Sequence, residues 1–261
     1  MKEPKIGLAL GSGSARGFAH LGVLKVLEEH NISIDFIAGS SMGALIGALY
    51  AAGQTIEDIH RMAKVLRSKY YIDFTVPKMG FIAGNRAKEL IEIFTYQKNI
   101  EETTIPLAVI ATDLIKGEKV IFKEGPICDA VRASISIPGV FVPVKMGDKL
   151  LVDGGVMDRI PVSVAKEMGA DIVIGVDVSP IEPKAELHSI IDVMIQSIDI
   201  LQFELVKYRQ VGADVMIRPK VEGFSSSDFS DFEEIVTLGE QAALASLPAI
   251  KQLISDWKVD L

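Results

Sequence analysis

The sequence predicts an α/β fold of three layers, a mostly parallel sheet with helices on both faces. Three observations point there. Short apolar runs of strand length alternate with longer stretches of helical periodicity. The first run, Ile6–Leu10, has no polar residue and reads as a buried strand. Glycine- and serine-rich turns fall between a strand and the following helix, and right-handed crossovers gather such turns at one edge of the sheet.

The elements follow in order. After the first strand, residues 18–30 are helical, with Leu21, Leu24 and Leu27 on one face. A second strand is expected over 34–38, then a helix over 44–52 that Gly53 ends. Thr55 with Asp58 forms a capping pair for a helix reaching about residue 67. Further strands are expected at 107–111, 120–122, 150–152, Ile172–Val176 and 215–218. Further helices are expected at 85–96, Ile127–Ser134, Val162–Glu167, Ile190–Arg209 and 232–253. Segments 70–84 and 221–230 read as surface loops. No internal repeat, low-complexity tract or long polar linker divides the chain. Residues 1–261 therefore read as one domain, with a motif-bearing core over about 5–180 and C-terminal helices and a strand over 181–261.

Composition narrows the function classes. With 49% hydrophobic and 24% charged residues the chain can bury a sizeable core. A net charge of -8 excludes a general nucleic-acid binder, which needs a basic face. It also argues against docking on anionic lipid by bulk charge. The single cysteine, Cys128, rules out an internal disulfide and a cysteine zinc cluster, suits a reducing cytoplasm, and reads as buried filler. The first apolar run breaks at Gly11, too early for a signal-peptide core. The uncharged run 37–53 reads as a buried helix, being shorter than a span and rich in Gly, Ser and Ala. No metal-ligand spacing is visible, so neither metal nor cofactor is expected.

Three turns carry candidate chemistry. Gly39-Ser40-Ser41-Met42-Gly43 fits G-x-S-x-G between a strand and a helix, the context of a nucleophile elbow. Small neighbours permit the sharp corner, and the helix N-terminus favours negative charge beside Ser41. The plain alternative is a Gly/Ser helix cap. Gly11-Ser12-Gly13-Ser14-Ala15-Arg16-Gly17 also lies between strand and helix, where backbone N–H groups can converge on an anion. That anion is either an oxyanion or a dinucleotide phosphate. Its third glycine comes one residue late for G-x-G-x-x-G, and no acid follows the second strand. Asp153-Gly154-Gly155 closes a strand, where active-site groups collect, although an Asp-Gly turn alone is commoner. The conjunction persuades: nucleophile, anion hole and base fall at one predicted sheet edge.

With these motifs in place, the sequence resembles the patatin-like phospholipases, of the bacterial branch related to neuropathy target esterase. The matching segments are GLALGSGSARGFAHLGV from Gly7, GSSMG from Gly39, SISIPGVFVPV from Ser134 and DGG from Asp153. Order and spacing agree through about Pro180; beyond it no motif is recognised. The resemblance implies a serine lipid-acyl hydrolase in which Ser41 is the nucleophile and Asp153 its base. It implies an oxyanion hole from the amides of Ser12, Gly13 and Ser14, bordered by Arg16, with Gly39, Met42, Gly43, Gly154 and Gly155 around the pair. Where the family has three consecutive glycines, this chain has Ser12, Gly13 and Ser14; the amides survive, but positive φ becomes costlier at the serines. The implied partner is a fatty-acyl ester or phospholipid. Transient contact with a membrane surface follows from that substrate, although no clear amphipathic anchor stands out. Nothing in the pattern sets an oligomeric state.

A dyad asks Asp153 to be a better base than a carboxylate of ordinary pKa near 3.9. Partial burial would raise it, so Asp153 should accept few hydrogen bonds beyond Ser41 and nearby backbone. Of the four histidines, His20 reads as helix packing and His30 and His60 precede the acid; only His188 comes late enough for a triad, in a polar segment without a motif. Pro138 and Pro143 should shape a rigid loop under the site. Asp113 either lines the cleft or, more commonly, caps a turn. Met42, Met79 and Phe81 could line an acyl channel, with core packing the commoner role. Two other readings stay open: a nucleotide-binding regulatory module using the first glycine loop, and a patatin-like scaffold with little activity.

Overall fold

The computed structural model describes residues 3–65, 72–76, 78–179, 189–209, 212–225 and 229–259. Its strands are β1 (Ile6–Leu10), β2 (Phe36–Ser40), β3 (Gly80–Ile82), β4 (Leu107–Asp113), β5 (Glu118–Phe122), β6 (Gly139–Phe141), β7 (Val144–Met146), β8 (Lys149–Asp153), β9 (Ile172–Val176) and β10 (Val215–Ile217). Its helices are α1 (Ala19–Glu29), α2 (Met42–Ala51), α3 (Ile56–Val65), α4 (Asn85–Phe94), α5 (Ile127–Ser134), α6 (Val162–Glu167), α7 (Ile190–Arg209) and α8 (Phe232–Val259). The fold is three-layered α/β, as predicted.

Side-chain alternation along each central strand builds the two outer layers. Leu8, Leu10, Ile37, Val109 and Ile174 point to one face, where they pack with Leu21, Leu24 and Leu27 of α1, Ile46 of α2 and Ile235 and Ile250 of α8. Ala9, Ala38, Ala108, Ile110 and Val173 point to the other, against Val164 and Ala165 of α6. The alanines on this second face let α6 approach the sheet closely.

Strands β10, β9, β1, β2 and β4 lie in that order and run parallel. The remaining strands of this sheet run antiparallel to their neighbours, which the expectation of a common edge of parallel strand ends did not include. Register shows what they do. β4 pairs with β2 over Leu107 to Ile110, and with β8 over Ala111 to Asp113. β5 pairs with Val109 to Asp113, overlapping both. A strand has two edges, so β5 holds one and β2 and β8 share the other. They meet there end to end: Ser40 is opposite Ile110, and Asp153 is opposite Ala111. Two strands distant in sequence thus finish one step apart along the same rail.

β3 and β6 form a separate two-stranded parallel ladder inside segments read as loops. These two and β7 have three residues each, too few for a period to register. The capping pair before α3 forms, Asp58 N–H donating to Thr55 Oγ1 at 3.1 Å and the hydroxyl donating to Asp58 Oδ2 at 2.7 Å. α8 contains Pro248 and continues past 253 to Val259. Among the described residues no helix is long and apolar enough to cross a membrane.

Candidate active site

β2 ends at Ser40 and α2 begins at Met42, leaving Ser41 alone on the corner with φ 53° and ψ -121°. A residue with a Cβ pays strain there, and the surrounding structure must hold it. Gly43 makes the corner fit: a Cβ at that position would lie 2.2 Å from the Leu10 carbonyl oxygen. Ser41 N–H donates to Ser134 Oγ at 2.9 Å, so the last residue of α5 anchors the corner. The Ser41 side chain faces the rail end where β8 stops.

Asp153 is fixed on both sides of its backbone. Its N–H donates to the Ser136 carbonyl at 2.9 Å, and its carbonyl accepts from Thr112 Oγ1 at 3.0 Å. Its carboxylate accepts two bonds: Gly155 N–H on Oδ1 at 2.8 Å, and Ser41 Oγ–H on Oδ2 at 2.5 Å. Ser41 is 5% exposed and Asp153 3%. Burial pushes the Asp153 carboxyl up to about 7; the two hydrogen bonds oppose the rise and the negative charge of Asp199 adds to it. Gly154 lets the turn after Asp153 press against β4, since a Cβ there would sit 2.2 Å from the Ile110 carbonyl oxygen.

The first glycine loop closes a small cleft over this pair. Ser12, Gly13 and Ser14 line it with Ser41, Asp153, Ile137 and Pro138. Ser12 N–H donates to the Arg159 carbonyl at 2.9 Å and its hydroxyl donates to Ser40 Oγ at 3.1 Å, so that amide is occupied. Ser14 adopts φ 47°, whereas Gly13 is extended at φ 176°; of the two serines only Ser14 takes the left-handed conformation. Arg16 is buried, donating from Nε to the Phe224 carbonyl at 2.8 Å, with Nη1 3.5 Å from Asp199 Oδ2. Met42 is buried in the core against Gly17.

The opposite wall was not legible. It is α7, which places Ile195, Ile198, Asp199 and Gln202 in the cleft. Asp199 belongs to a buried charge cluster with Arg16, Arg159 and Asp177. Arg159 Nη2 donates to Asp177 Oδ1 at 3.0 Å and to the Ser179 carbonyl. Burial raises the Asp199 carboxyl, while Arg16 and Arg159 pull it down. The sequence around Asp199 reads as an ordinary helix, and only the fold brings it to the site.

The described histidines lie elsewhere. His20 is buried, its Nε2–H donating to the Gly11 carbonyl at 2.8 Å, and burial pushes its pKa down to about 4, keeping it neutral. His30 Nδ1 meets the Val26 carbonyl and His60 Nε2 meets Glu233. His188 lies outside the described residues. Asp113 caps a turn, Oδ1 accepting from Ile115 N–H at 3.0 Å. Phe81 packs beside Val140 and Ile195, and Met79 is exposed. Cys128 is buried, and burial raises its thiol. Among the described residues no three His, Cys, Asp or Glu side chains are grouped to hold a metal ion.

The fold and this pair put the chain among α/β proteins that carry a serine on a strained strand-to-helix elbow beside a buried carboxylate. The patatin-like phospholipase family model matches residues 8–166, and the chain belongs to that family. It is 39% identical over 180 residues to an uncharacterized NTE family protein of Mycobacterium bovis, covering 68% of this chain and 50% of that one. It is 30% identical over 272 residues to the human patatin-like phospholipase domain-containing protein 6, covering 90% of this chain and 20% of the relative. A lysophospholipase NTE1 of Debaryomyces hansenii is 27% identical over 271 residues, covering 92% and 18%. The chain thus spans half or less of the length of these relatives. In fold it is similar to VipD of Legionella pneumophila, with TM-score 0.66, 15% identity and coverage of 95% of this chain and 67% of that one.

Proposed function

We propose that this chain is a serine hydrolase of lipid acyl esters that works through a Ser41–Asp153 dyad and an acyl-enzyme. The observation that carries the reading is the 2.5 Å hydrogen bond from Ser41 Oγ to Asp153 Oδ2, made on a strained corner in a nearly dry cleft. Ser41 Oγ attacks the ester carbonyl carbon while its proton passes to Asp153 Oδ2. The carboxylic acid so formed returns the proton to the leaving alkoxide. Water then enters, gives a proton to the same oxygen and attacks the acyl carbonyl carbon; the bond to Ser41 Oγ breaks, the acid returns the proton to Oγ, and the acyl group leaves as a carboxylic acid.

A carboxyl held near 7 is a far better acceptor for a serine proton than one near 3.8, so burial supplies the basicity that a histidine would otherwise bring. Gly155 N–H holds Oδ1 and leaves Oδ2 aimed at the nucleophile. For the oxyanion we assign the N–H groups of Gly13 and Ser14. The Ser12 amide, included on the family pattern, is turned to Arg159 and drops out of the assignment. Losing one donor of this kind costs about 3 kcal/mol of transition-state stabilisation. Membership of a phospholipase family and the similarity to a protein named lysophospholipase support a lipid ester as substrate.

The test is covalent labelling with a fluorophosphonate, together with hydrolysis of p-nitrophenyl esters and phospholipids of graded chain length. Wild type should label at Ser41 and hydrolyse the esters. Ser41→Ala and Asp153→Asn should do neither at a measurable rate. Activity that survives Asp153→Asn, or that depends on His188, would remove the dyad.

A further inference from the structure

α7 has two faces, and the active site uses one of them. Its inner face lines the cleft through Ile195, Ile198, Asp199 and Gln202. The exposed positions follow one another at helical spacing: Ile190, Val193, Ser197, Ile200, Leu201 and Leu205. Five of the six are large and apolar, with Ile190 70%, Val193 51%, Ile200 43%, Leu201 66% and Leu205 39% exposed. The sixth, Ser197, donates its hydroxyl to the Val193 carbonyl at 2.7 Å, so it asks nothing of the solvent. A solvent-facing helix side normally carries charge; here apolar side chains run for about 22 Å with Glu204 the one acid set among them, which marks a contact surface. Because the inner face is apolar too, the helix has little amphipathic asymmetry, which is why no anchor stood out in the sequence.

We propose that this outer face of α7 is where the protein rests on a lipid surface of zwitterionic headgroups. The identity of the partner rests on the lipid-ester reading above; the surface itself does not. Three observations favour lipid over another protein. The stripe and the cleft lining lie on opposite faces of one helix, whose diameter with side chains is about 10 Å. Ser41 and Asp153 are buried in the cleft that the inner face of the same helix lines. Residues 190–206 contain no Lys or Arg, so the surface has apolar reach without attraction for anionic headgroups.

Co-sedimentation with phosphatidylcholine vesicles tests this, using Ser41→Ala protein so that no lipid is consumed. Binding should be detectable and nearly unchanged as salt rises, because screening acts on charge and not on apolar insertion. Adding Ile190→Glu and Leu201→Glu should cut vesicle binding by about a hundredfold, roughly tenfold for each buried side chain lost. The same pair in the Ser41-containing protein should leave p-nitrophenyl butyrate hydrolysis within about twofold, since exposed positions carry little stability. Equal vesicle binding by parent and variant, binding only to anionic vesicles, or no vesicle binding overturns the proposal. So does a parent dimer that the two substitutions dissociate, which would give the face to a second copy. Absence of butyrate hydrolysis with vesicle binding intact would sink the catalytic reading and leave the docking face standing.

Discussion

Asp153→Asn should make the protein inactive and more stable, and the gain should depend on pH in one direction. The carboxyl stands at about 7 in the fold against an ordinary 3.8, with burial as the main cause. A folded-state value above the unfolded one means the fold prefers the protonated acid. Stability from this group is complete below pH 3.8 and is lost as pH rises through 7. The interval corresponds to about 4 kcal/mol of destabilisation in wild type once Asp153 is ionised. Asparagine has no charge to bury, keeps an oxygen for Gly155 N–H and offers an N–H to Ser41. For a chain of this size, about 4 kcal/mol moves the melting temperature by on the order of 10 °C. The assay is thermal unfolding of both proteins from about pH 4.5 to 8.5, followed by circular dichroism, with the difference plotted against pH. His20, held neutral near 4, weakens both proteins as pH falls and cancels in the difference. The difference should be small at the acid end and level off above pH 7. A pH-independent difference, or a variant less stable than wild type at pH 8.5, would refute a buried, reluctantly ionised Asp153.

Further outcomes follow from the same geometry. The acid limb of kcat/KM on a soluble ester should fall near pH 7; Asp199→Asn removes a charge that raises Asp153 and should move that limb to lower pH, as a pH–rate profile will show. Ser134→Ala leaves the buried Ser41 N–H without its acceptor and should lower denaturant stability by about 1–3 kcal/mol, with kcat falling more than KM changes. Gly43→Ala pushes a methyl to 2.2 Å from the Leu10 carbonyl oxygen and should cost about 3 kcal/mol or more by the same measurement, whereas Gly223→Ala, with open space around it, should be nearly neutral.

The sequence revealed what local chemistry determines. Ile172–Val176, Ile127–Ser134, Val162–Glu167 and Ile190–Arg209 have the bounds their apolar spacing predicts, because each is a single period between clear breakers. The Ser41 and Asp153 turns were legible because close packing requires glycine at Gly39, Gly43 and Gly154. Direction was not legible: β8 is antiparallel, and nothing in its apolar run distinguishes that from parallel pairing. Asp199 escaped notice because an acid in a helix is ordinary until tertiary packing buries it against Arg16. That the Ser12 amide is occupied was not legible, because its acceptor, the Arg159 carbonyl, comes from a distant part of the chain.

β4 contributes no reacting atom, yet it works as a gauge block for the reaction. Ser41 and Asp153 are 112 positions apart in the chain, and loops within that interval can change length at little entropic cost. Deleting Ile110 or Ala111 itself is different. It would draw the abutting strand tips past each other by about 3.3 Å and turn one side chain to the opposite face of the sheet. The distance between Ser41 and Asp153 is therefore set by the length of a strand that holds neither of them.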